Sequence, residues 1–211
     1  MFTGHFAIAY IFHYLFPSLP LWVALVGVSF PDLLWPILVI LGIEKATMDP
    51  KSPLQKNIKF NHYPYSHSLV LSTAIAFVFG AIISILLNNT AILFLFPLLS
   101  ASHWFLDAIV HRKDLPVLGF SKKDIKVGLG LWNHGKAAFV LEYIFYIILT
   151  IVFAPSSSLV LLLALGTLFH IANMNSFLGL TKTNSFAKGK YTYPIITLLG
   201  FGLFIILATL L

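Results

Sequence analysis

Seven apolar stretches, at about residues 2–16, 20–43, 66–88, 91–111, 136–153, 158–180 and 191–211, occupy most of this 211-residue chain. Most approach the ~20 residues that carry a helix across ~30 Å of hydrocarbon. Lipid offers no hydrogen-bond partners to free backbone groups, so stretches of this length are read as helices. The first is short, as a tilted, partial or re-entrant segment would be. Only 9% of the residues are charged and 59% are hydrophobic, against about 25% charged in a soluble domain. The expected fold is therefore all-α, a polytopic integral membrane bundle of about six or seven membrane segments. No internal repeat, low-complexity tract or long linker divides residues 1–211, so one domain is expected. No basic stretch precedes the first apolar residues, which read as the start of a mature helix and not as a signal peptide.

The connections alternate in character. Pro17 to Pro20, Asn88 to Thr90 and Pro155 to Ser158 are short and uncharged. The loops near 44–65, 112–135 and 181–190 are longer, and they or their edges hold all 13 basic residues. Lys45, Lys51, Lys56 and Lys59 lie in the first; Arg112, Lys113, Lys122, Lys123, Lys126 and Lys136 in or beside the second; Lys182, Lys188 and Lys190 in the third. With seven crossings these loops share one face, and the positive-inside rule makes that face cytoplasmic. The N-terminus is then expected inside and Leu211 outside. The net charge of +6 is read mainly as an orientation signal facing a lipid bilayer, with contact to phosphate or anionic lipid a lesser role. No basic motif interleaved with aromatics stands out, so nucleic acid is not an expected partner.

Ionisable residues within such segments normally have a partner and a function. His103, Asp107 and His111 close the fourth segment at intervals of four, which stacks them on one helix face. His-x-x-x-Asp on one face is metal-ligand spacing. His5 begins the first segment, His62 and His67 flank the start of the third, and His134 opens the fifth with Glu142 two turns further on. Six of the eight histidines thus fall at the cytoplasmic face, on four different segments. Asp32 lies mid-segment between Pro31 and Pro36, where the prolines should kink or break the helix and let the carboxylate line a polar cavity. Plainer readings stand beside these. His103 and Asp107 can form an interhelical hydrogen bond, and His67 can belong to a helix cap with Ser66 and Ser68. His5 can be interfacial, and Glu142 can pair with Lys136. His62, His111 and His134 read as assisting or interfacial groups. His13 reads as interfacial at the uncharged face. His170, with Asn173 and Asn175, reads as an interhelical hydrogen-bond cluster.

The chain has no cysteine, so any metal must sit on imidazole and carboxylate. Such donors suit Zn²⁺ first, with Mn²⁺ or Fe²⁺ as alternatives. The set is larger than one closed site needs, which admits two ions or one ion with catalytic neighbours. Two ions ~3.5–4 Å apart can clamp a phosphoester. Gly4-His5, Pro31-Asp32, His62-x4-His67-Ser68 and His103-x3-Asp107 resemble, in order and spacing, the pattern of the YdjM-like family. That family is described as LexA-regulated, membrane-bound metal-dependent hydrolases, and the resemblance covers roughly residues 3–135. It implies a divalent-metal site, a prokaryotic cytoplasmic membrane location, and His5, Asp32, His67, His103 and Asp107 as ligands. Leu34 stands where the family often has a second Asp, Tyr63 where it often has Arg, and Ser66 where it has Thr. The family is in turn distantly similar to zinc-dependent phospholipases C and single-strand zinc nucleases, helical proteins that hydrolyse phosphodiesters.

The leading expectation is a cytoplasm-facing metal-dependent hydrolase acting on a phosphoester such as a lipid phosphate. His62, His111 or His134 would assist proton transfer. A metal-ion or proton-coupled transporter is the alternative, although transporter sites tend to lie at the midplane between inverted repeats. A b-type haem protein is a third reading, in which Asp107 has no evident role.

Overall fold

The computed structural model describes residues 1–121 and 123–211; Lys122, one of the basic residues of the second long loop, lies outside the described residues. All seven apolar stretches form helices: α1 (Thr3–Leu15), α2 (Leu21–Ile40), α4 (Leu69–Leu86), α5 (Ala91–Val110), α6 (Gly135–Phe153), α7 (Leu159–Ala172) and α9 (Thr192–Leu210). Two shorter helices complete the order, α3 (Pro64–His67) before α4 and α8 (Met174–Leu178) after α7. Among the described residues five helices are long and apolar enough to cross a membrane: α2, α4, α5, α9, and α6 taken with the turn before it. The 13 residues of α1 and 14 of α7 reach only about 20 Å at 1.5 Å per residue. The apolar stretch expected at 158–180 is cut short at Ala172, where α7 stops and α8 starts after Asn173.

The connections sort to two ends of the bundle. Asn89 Nδ2 donates to Ser18 O at 2.8 Å, and Ser158 Oγ donates to Leu211 O at 2.6 Å, so the short connections lie together. At the other end Asn184 donates to the carbonyls of Pro50, Asp49 and Ser52, which ties the third long loop to the first. Phe60 packs on the cluster that holds Trp132, which ties the first to the second. Two small antiparallel ribbons stiffen this end, β1 (Lys45–Thr47) with β2 (Lys59–His62) and β3 (Leu115–Pro116) with β4 (Lys126–Val127). The outward faces remain apolar: Ile85, Phe94, Val160 and Leu199 are all more than 60% exposed, as side chains solvated by lipid would be.

Close approach of α2 and α5 sets the frame for the buried polar residues. A Cβ at Gly27 would meet Leu99 Cδ1 at 2.9 Å and Leu99 Cβ at 3.0 Å. The main core continues through Phe6, stacked on Phe204 at 3.8 Å, and joins α1 to α9. Pro31 and Pro36 do not break α2, which is helical from Leu21 to Ile40. The expected break does not occur because α2 is packed along its length by α1, α5 and α9. We expect Gly27→Val to force these helices apart and to cost about 1–3 kcal/mol by overpacking. A lowered thermal unfolding midpoint in detergent checks this.

Candidate metal centre

Helical spacing places His103, Asp107 and His111 on one face of α5, and the packing buries all three. Asp32 reaches them from α2, His67 from α3 and His5 from the first turn of α1. The five residues that the family resemblance implies as ligands therefore lie in one cluster. His103 Nε2 stands 3.2 Å from Asp107 Oδ2 and 3.6 Å from Asp32 Oδ2. His67 Nε2 stands 3.4 Å from Asp32 Oδ1 and 3.8 Å from Asp107 Oδ2. His5 Nε2 lies 3.2 Å from Asp107 Oδ1, and its ring stacks on His103 at 3.7 Å. His111 Nε2 is 3.5 Å from Asp107 Oδ2. The Met1 amino nitrogen also contacts Asp107 Oδ1, at 2.7 Å.

The donor atoms form two overlapping triplets, His5/His103/Asp107 and Asp32/His67/His103, each within a span of 4.8 Å. Despite the short separations, neither His103 Nε2 nor either nitrogen of His5 makes a hydrogen bond among the described residues. Buried polar atoms are rarely left without partners. Nitrogens that pass close to carboxylates without bonding them are aimed at shared space instead. Ligands on a tetrahedral ion with bonds of ~2.0–2.1 Å lie about 3.3 Å from one another, close to the nitrogen–oxygen separations found here. The residues present thus fit a divalent ion.

The outer nitrogens are held. His103 Nδ1 donates to the carbonyl of Val28 at 2.7 Å, which leaves Nε2 as the lone-pair nitrogen. His67 Nδ1 meets Ser66 Oγ at 2.7 Å, and that hydroxyl donates to Glu44 Oε2 at 2.6 Å. Glu44 Oε1 in turn accepts from the amides of Tyr65 and Ser66. His111 Nδ1 meets Asp114 Oδ1 at 3.2 Å. Each of these three histidines therefore has an oxygen behind it, the arrangement that orients metal-binding imidazoles. Glu44 escaped sequence reading because its partner Ser66 lies 22 residues away, between motif histidines whose neighbours looked like cap residues. Ser68 is the cap of α4: its Oγ accepts from Ser72 N.

Other expectations sort differently. His62 and His134 are exposed, and among the described residues neither has an ion pair or ring contact with the cluster. The ribbon that carries His62 pairs it with Lys45. His134 ends in the turn before α6. Glu142 does not pair with Lys136. It accepts from the amides of Phe2 and Gly4 and from Thr3 Oγ1, and so holds the N-terminus of α1, where its charge suits the free amides. His170 hydrogen-bonds between helices as expected, but with Thr3 Oγ1 and Phe139 O. Asn175 turns away to Thr181. His13 holds Leu19 O at the end of the short connections. Leu34 packs into the main core. Tyr63 is buried against the rings of His67 and His111, where an Arg would have brought charge.

No protein-family model matches the chain, and no curated protein and no solved structure matches it.

Burial pushes the Glu44 carboxyl up to about 7, against the pull of its hydrogen bonds from Ser66 and Tyr65. The carboxyl ordinarily titrates at 4.5, so the folded state holds the proton more tightly than the unfolded chain. Stability relative to a non-titrating Glu44→Gln variant then falls as pH rises from about 4.5 to 7, by about 3 kcal/mol in full. Chelator-treated wild type and variant, melted across this range, should show the gap opening in that direction. A gap independent of pH would contradict it.

Proposed function

We propose that the protein is an integral membrane metal-dependent hydrolase, with His5, Asp32, His67, His103 and Asp107 as ligands of one or more divalent ions, Zn²⁺ first. The observation that carries this reading is the meeting of donors from α1, α2, α3 and α5 in one buried cluster, with lone-pair nitrogens that lack hydrogen-bond partners. The resemblance to the YdjM-like family supports the same ligands. The basic long loops support a cytoplasmic face for the cluster, with the N-terminus inside and six or seven membrane segments in all.

His103 offers only Nε2, since Nδ1 is committed to Val28 O. The two triplets compete for that nitrogen, and Asp107, with Oδ1 toward His5 and Oδ2 toward His103, is the group able to bridge them. A bound ion would supply Lewis-acid activation of water and of the scissile ester. His111 does the proton work in place of His62 and His134: it lines the adjoining cavity, and Asp114 fixes its ring. Hydrolysis of a phosphodiester there breaks one P–O ester bond and forms a P–O bond to water. One proton passes to the leaving alkoxide, and His111 is placed to hold and return it.

Elemental mass spectrometry of detergent-purified protein should find at least one transition-metal ion per chain, lost in His103→Ala/Asp107→Ala. Glu44→Gln is the finer test. Its amide donates to Ser66 Oγ, so Ser66 donates to His67 Nδ1 and the proton moves to Nε2, where the lone pair is needed. We expect metal affinity to fall about 10–100-fold, read by competition with a chromogenic chelator. No metal in the wild type, even after dialysis against zinc or manganese, overturns the proposal.

A further inference from the structure

A cavity of about 260 Å³ opens from the cluster. Asp32, His67, Asp107 and His111 form its polar end. α9 turns one face to it, with Tyr193, Ile196, Thr197, Gly200 and Phe201 at helical spacing. From across the cavity α7 contributes Phe169 and Ala172, and Phe2 packs against Phe169 and Phe201 at the apolar end. Its loop-side wall includes Gln55, hydrogen-bonded to Tyr193 at 3.2 Å. Two walls are thus bundle helices, and the polar groups are gathered at one end.

No Lys or Arg among the described residues lines the cavity. Asp32, Asp107, the Met1 ammonium beside Asp107 and one divalent ion would together carry +1, which a monoanionic head neutralises and a dianionic head exceeds, and uncompensated buried charge is strongly disfavoured. Among the uncharged donors in this wall, the indole N–H groups of Trp35 and Trp132 are buried and have no partner among the described residues. The volume sits below the ~300–1,000 Å³ of drug-sized pockets, which suits one slender chain better than two.

We propose that the substrate is a single-chain amphiphile, a monoanionic alkyl phosphodiester whose head sits at the His/Asp cluster and whose chain lies between α7 and α9. This deepens the hydrolase reading and rests on it.

Gly200 gives the decisive variant. A Cβ there meets only the Phe2 ring, at 3.9 Å, so Gly200→Leu fits the helix and fills the cavity. Gly202, two residues on, meets nothing within 4 Å and is outside the lining, so Gly202→Leu is the control. The probe is methyl 12-bromododecyl phosphate, added to protein in nanodiscs, with isothermal titration calorimetry against empty nanodiscs as the readout. We expect methyl 4-bromobutyl phosphate to bind at least about tenfold more weakly. Gly200→Leu should weaken the long probe by a similar factor with metal content unchanged, and Gly202→Leu should match the wild type. 12-bromododecyl phosphate, a dianion when fully ionised, should bind more weakly than the diester.

Equal binding of long and short chains, or wild-type binding by Gly200→Leu, overturns the proposal. Tighter binding of the monoester overturns its head-group assignment. If the wild type holds metal and hydrolyses the short diester without chain dependence, this inference fails and the hydrolase reading survives. If the long chain binds and Gly200→Leu expels it while neither metal nor hydrolysis is found, the cavity assignment stands and the hydrolase reading fails.

Discussion

Asp107 is the residue around which the bundle is arranged. Its carboxylate is almost fully buried near the end of a helix long enough to span a membrane, where an uncompensated charge costs several kcal/mol. The protein answers with the Met1 ammonium, which donates to Oδ1 at 2.7 Å, and with imidazoles gathered from separate elements: His5 from α1, His67 from α3, and His103 and His111 from the helix of Asp107 and its end. Each contact requires a particular helix at a particular height. Gathering these groups around one carboxylate therefore fixes where α1 begins, where α3 sits, and how deeply α5 returns into the long-loop end.

The backbone carries part of this arrangement. Gly27 lets α2 lie against Leu99 of α5, and one residue later the carbonyl of Val28 is close enough to accept from His103. Four residues beyond Val28, the same helix delivers Asp32 to the cluster. Pro31 contributes because it has no N–H to return to the preceding turn, which loosens the helical bonding beside the carbonyl that serves the histidine. On the other side Glu44 does through a hydroxyl what Val28 does directly. It holds Ser66, and Ser66 holds the ring of His67.

Much of this was legible in the sequence because two periodicities carry it. Apolar length gave all seven major helices, and the four-residue spacing of His103, Asp107 and His111 gave the buried face of α5. Asp32 was harder, since its depth in α2 depends on how α2 crosses α5, which no local pattern encodes. Glu44 was missed for the same reason: its role exists only once the loop after α2 folds back over α3. His62 and His134 show the reverse error. Both fall at the right end of the bundle, but a ribbon position opposite Lys45 and an exposed turn leave them outside. Closeness to the membrane face in sequence is not closeness to a site. Glu142 was misassigned because the nearest cation in sequence, Lys136, is a weaker claim on a buried carboxylate than the free amides of a helix start.

The placement of charge bears on how the proposed enzyme would work. Every described basic side chain lies in or beside the long loops, and none reaches the cavity wall. The cavity alone therefore presents two carboxylates against one cation, the Met1 ammonium, and a few neutral donors, a net negative surface that repels anions. A divalent ion on the cluster would reverse that local field, and linkage makes the effect reciprocal: whatever the ion adds to the affinity for an anionic head, the head adds to the affinity for the ion. A fixed arginine would have given substrate binding without the ion. Its absence ties substrate capture and activation to the same occupant, so the metal-free protein would have neither.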